Sequence, residues 1–118
     1  MTLTELRDEA ARLIGWECER EALTGPAKWV TMGAFKYGHP IDTTLDGIAA
    51  LWREHLPGWA IKVVVHRDTV QVTAWNADIR PLKRIIDGGT TVFIEGTNET
   101  DARLAAFVAA LKSERSKP

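Results

Sequence analysis

Apolar residues recur at helical spacing in three stretches of the chain, and between the second and third the period changes from 3.6 to 2. Leu3, Leu6, Ala10, Leu13 and Ile14 share one face of a helix predicted over 3–14, with Arg7, Asp8, Glu9 and Arg12 elsewhere. Thr2 and Glu5 have capping-box spacing, and Gly15 follows as a stop because glycine accepts left-handed angles. A second helix over 44–56 carries the stripe Leu45, Ile48, Ala49, Trp52 and Leu56. Pro40 keeps His39 out of helical angles before it, Thr43 and Asp46 have N-cap and N3 spacing, and Leu56-Pro57-Gly58 ends it. The third helix, over 98–112, presents Leu104, Phe107, Val108 and Leu111. Glu99 and Asp101 suit its positive end, while Lys112 and Arg115 suit its negative one. Residues 113–118 read as a frayed tail.

The period of two predicts strands over 60–66 and 69–75, turning at Arg67-Asp68, and a further strand over 91–95 after Asp87-Gly88-Gly89. Shorter strands are expected over 16–21 and 28–31 around Gly25-Pro26, whereas Pro81 to Asp87 fits a helical turn or a strand equally. The sum is a single compact α+β domain over 1–112, a mainly antiparallel sheet of four to six strands sandwiched between helices. Its expected core contains Leu6, Leu13, Ile48, Trp52, Val63, Val72, Ile94, Leu104, Phe107 and Leu111.

Composition narrows the class. With 118 residues, 45% hydrophobic and 26% charged, the chain can bury a core without a disulfide or metal. Fifteen basic against sixteen acidic side chains are too balanced for bulk attraction to nucleic acid. No apolar run reaches membrane-spanning length, the first residues do not form a signal peptide, and the lone Cys18 points to a reducing cytoplasm.

Catalytic patterns are missing from the sequence. His39, His55, His66 and Cys18 lack metal-ligand spacing, so no metal or other cofactor is expected. Cys18 lies between Glu17 and Glu19, which oppose thiolate formation. Ser113 and Ser116 are the only serines and fall in the tail. The chain therefore reads as a non-enzyme.

Two groups suit ligand binding instead. Lys36, Tyr37 and His39 lie in a basic and aromatic loop feeding the second helix, whose start at Thr43 and Thr44 is a generic anion site. Arg80, Lys83 and Arg84 cluster near Trp75, where arginine can hold a phosphate and an aromatic ring can stack a base. The simpler readings are a loop covering a sheet edge and a solvated cationic connection. Trp75 is out of phase with Val70, Val72 and Ala74, which places it on the opposite face. Five tryptophans are a surplus, expected to serve core packing and a homo-oligomer contact, with a symmetric dimer the commonest form.

Ile14-Gly15-Trp16, the stretch from Pro40 through Thr43-Thr44-Leu45-Asp46 to Trp52, Pro57-Gly58-Trp59 and the helix from Glu99 to Leu111 together resemble the phage ABA sandwich domain family. The resemblance implies a sheet between helical layers and a phage or prophage origin, hence action in a host bacterial cytoplasm. It supplies no catalytic residues. The function expected is that of a non-catalytic phage accessory protein, with counter-defence by sequestering a nucleotide immune signal as the sharper form. The alternatives are a protein–protein inhibitor of a host defence complex and an uncharacterised structural phage protein.

Overall fold

The computed structural model describes residues 2–20, 27–76 and 91–116. Among the described residues three helices and six strands follow in the order α1 (Leu3–Leu13), β1 (Glu17–Arg20), β2 (Lys28–Thr31), β3 (Ala34–Tyr37), α2 (Leu45–His55), β4 (Trp59–His66), β5 (Thr69–Asn76), β6 (Thr91–Gly96) and α3 (Glu99–Ser116). The α+β class expected from the sequence holds. The strands form two three-stranded antiparallel sheets, β1-β2-β3 and β4-β5-β6, where one sheet was expected.

Local chemistry sets the helix ends. Thr2 caps α1 by accepting from the Glu5 amide, and the Thr2 hydroxyl donates to the Glu5 carboxylate. Gly15 terminates it at φ +102°, an angle that a side chain would oppose. At α2 the cap is Thr44, one residue later than the expected Thr43. Asn98 caps α3 by accepting from the Asp101 amide. That helix continues to Ser116, four residues past the end expected at 112.

The second sheet lays Val70, Val72 and Ala74 of β5 against α3, flanked by Ile61 and Val63 of β4 and by Val92 and Ile94 of β6. Helix α3 is the hub: it packs on α1, α2, β5 and β6, and buries Leu104, Phe107, Val108 and Leu111. Trp52 of α2 meets Phe107 edge-on at 5.7 Å. Leu13, Val63 and Ile94, expected in the core, are only half-buried at its margin, and Leu45 lies exposed. Trp29 of β2 is buried and joins the first sheet to the same core.

Candidate functional site

The loop expected over Lys36-Tyr37 is a strand. Met32-Gly33 makes a two-residue turn, with Gly33 at φ +85°, and folds β3 back on β2 with Thr31 opposite Ala34 and Lys28 opposite Tyr37. Alternation along β3 then separates the two candidate residues. Tyr37 shares a face with Phe35, Val30 and Lys28, while Lys36 shares the other with Trp29. Sequence reasoning missed Phe35 and Met32. Their signal was the apolar alternation Phe35-x-Tyr37 directly behind a Gly turn.

The Phe35 and Tyr37 face is open. Phe35 is 63% exposed and Tyr37 57%, and Met32 at the turn is fully exposed. The two rings meet edge-on with centroids 5.8 Å apart. Lys28 Nζ stands 5.2 Å from the Phe35 centroid and 3.7 Å from the Glu19 carboxylate. A paired cation on an aromatic ring leaves the outer surface apolar with one balanced charge pair at its side.

His39 serves the scaffold. Its Nε2–H donates to Asp8 Oδ1 over 2.8 Å, and its Nδ1 accepts from the Ile41 amide over 3.1 Å. The ring also packs against Trp29 at 4.7 Å. Accepting at Nδ1 requires the neutral tautomer, and burial lowers the His39 pKa despite the neighbouring Asp8.

The start of α2 is already supplied with an anion. Asp42 Oδ1 accepts from the Thr44 amide over 2.9 Å, and Thr44 Oγ1 accepts from the Gly47 amide over 3.0 Å. The hydrogen bonds from Thr44 lower the Asp42 pKa, so a carboxylate stands where a ligand phosphate was expected. The loop lies so close that a Cβ on Gly47 would come within 2.6 Å of the Asp42 carbonyl oxygen.

Trp75 lies on the outer face of the second sheet, on β5, with Ala60 and Thr91 as its cross-strand partners. It is half-buried. Phe93, on the same face of β6, is exposed. Arg80, Lys83 and Arg84 lie outside the described residues, as does the ambiguous 81–87 stretch. The structure therefore brings Tyr37 together with Phe35 and Lys28, and sets Trp75 on the other sheet.

A cleft of about 410 Å³, not anticipated from sequence, opens between the end of α2, the start of β4 and the last turns of α3. Glu114 Oε1 accepts from Trp59 Nε1 over 3.0 Å and from Asn76 Nδ2 over 3.3 Å, and His55 and Arg115 line the rim. The Glu114 contacts hold the sheet end to α3, which assigns it a structural task. Among the described residues no group of His, Cys, Asp and Glu has metal-binding geometry, and no helix is long and apolar enough to cross a membrane. No family model, curated protein or solved structure matches the chain.

Proposed function

We propose that this protein acts by binding rather than by catalysis, and that it holds a partner protein against the outer face of the first sheet. The observation that carries the reading is the exposed Phe35–Tyr37 pair beside fully exposed Met32. Aromatic and methionine side chains gathered on an open face are the composition of an interface centre, where a few such residues supply most of the affinity. The sequence resemblance to phage ABA sandwich proteins favours, within this proposal, a phage or prophage accessory protein with a host defence complex as its target.

Sequestration of a nucleotide is less well supported by the first sheet. His39 is engaged with Asp8 and Ile41, Asp42 holds the α2 start, and Lys36 and Tyr37 point to opposite faces. A phosphate there would displace a carboxylate rather than fill an open site.

The test is native mass spectrometry of the tagged protein purified from a bacterial host, beside a Phe35→Ser/Tyr37→Ser variant. A stoichiometric protein partner on the wild type, lost from the variant with the melting temperature unchanged, supports the reading. A retained nucleotide, or a partner bound equally by both forms, contradicts it.

A further inference from the structure

Among the described residues the first sheet ends on β3, whose backbone shows which groups remain to be used. The Gly38 amide donates to the Ala27 carbonyl over 2.8 Å, which fixes the phase of the β2–β3 ladder. With the register Trp29 opposite Lys36 and Thr31 opposite Ala34, residues 34, 36 and 38 turn their amide and carbonyl groups toward β2. Phe35 and Tyr37 turn theirs outward. No described residue pairs with that edge, and all four β3 side chains are exposed. The two residues with the exposed rings are thus also the two with open backbone donors and acceptors.

A second copy of this chain is a poor occupant. The two-fold antiparallel register that uses all four outward groups pairs Phe35 with the second copy's Tyr37, but sets Lys36 directly opposite itself. Like charges directly opposite one another destabilise a sheet, and an edge lysine is a common device against self-pairing. Lys36 has no ion pair among the described residues, and its charge reaches Asp42 only at longer range.

We infer that the β3 edge receives an extended strand of the partner, added antiparallel, with an acidic residue facing Lys36 between two apolar residues facing Phe35 and Tyr37. This deepens the binding reading above and rests on it. Four main-chain hydrogen bonds to Phe35 and Tyr37 supply affinity, and the apolar–acidic–apolar alternation supplies selection. The acid answers Lys36 on one face while β-branched side chains cover the rings on the other.

The probe is a capped heptapeptide, Thr-Thr-Val-Glu-Val-Thr-Thr, titrated into the full chain and followed by amide NMR. Two controls accompany it: the same peptide with Lys for Glu, and one N-methylated at both valines. The expected result is shifts confined to 34–38, binding about tenfold weaker for the Lys peptide, and none for the N-methylated one. No shift, shifts centred on the 55–59 cleft, or equal binding by the N-methylated peptide overturns strand addition. So does protection of the Phe35 and Tyr37 amides that rises with protein concentration, since the occupant is then a second copy. If the peptides fail while Phe35→Ser/Tyr37→Ser still loses its protein partner, strand addition is wrong and the binding reading stands.

Discussion

The Nε2–H of His39 donates to Asp8 Oδ1 over 2.8 Å, and this bond ties the loop after β3 to the first helix. The same ring accepts from the Ile41 amide, so protonation would place an N–H against an N–H. Burial, which outweighs the hydrogen bond to Asp8, holds the folded His39 pKa below the ordinary 6.5. The unfolded chain takes up the proton first, so stability from this group is full above the ordinary value. It is lost as pH falls toward the lowered folded value. Urea unfolding at about pH 7.5 and about pH 5 should show this loss in the wild type, and a smaller one in His39→Gln. That variant should also lose about 1–2 kcal/mol at the higher pH through its broken hydrogen bonds.

Gly47→Ala should reverse the usual helix rule. Replacing glycine by alanine inside a helix normally stabilises by about 1 kcal/mol. Here the new Cβ would fall within 2.6 Å of the Asp42 backbone oxygen, which cannot rotate away. A loss of about 1–3 kcal/mol in chemical denaturation is expected. A gain would mean that the 39–44 loop does not sit over the first turn of α2.

Much of this architecture is legible in the sequence, for identifiable reasons. The β4–β5 hairpin shows because its alternating apolar residues face a helix and Arg67-Asp68 interrupts them. The three helices show through their stripes and caps. The β3 strand did not, because its four residues bury nothing and its apolar pair faces outward, so burial left no pattern to read. The end of α3 was hidden for another reason. Its last turns have no apolar stripe, and Glu114 is held by Trp59 and Asn76, far away in sequence. Of the candidate site, Tyr37 lies on the proposed surface, His39 and Thr44 belong to the scaffold, and Arg80, Lys83 and Arg84 lie outside the described residues.

Glu114 gives that last point a test. Glu114→Ala should cost about 1–3 kcal/mol, because two half-buried donors on Trp59 and Asn76 lose a charged acceptor. Ending the chain after Lys112 should cost at least as much, measured by thermal or urea unfolding. An unchanged melting temperature in both would show that the final turns are dispensable.

Leu104 and Phe107 are fully buried where α3 meets the second sheet and the other helices. Leu104→Ala or Phe107→Ala should each cost about 2–5 kcal/mol. The exposed Val65, tested alongside, should change stability by less than about 0.5 kcal/mol on replacement by threonine.

Native-state amide hydrogen exchange of the protein alone reads out whether β3 offers an open edge through Phe35 and Tyr37. Rapid exchange is expected at Phe35 and Tyr37, with slower exchange at Lys36, whose amide faces Trp29 of β2, and at Gly38, whose amide is bonded to the Ala27 carbonyl. Equal protection at all four amides in dilute protein would contradict an open edge, because the edge would then already be paired.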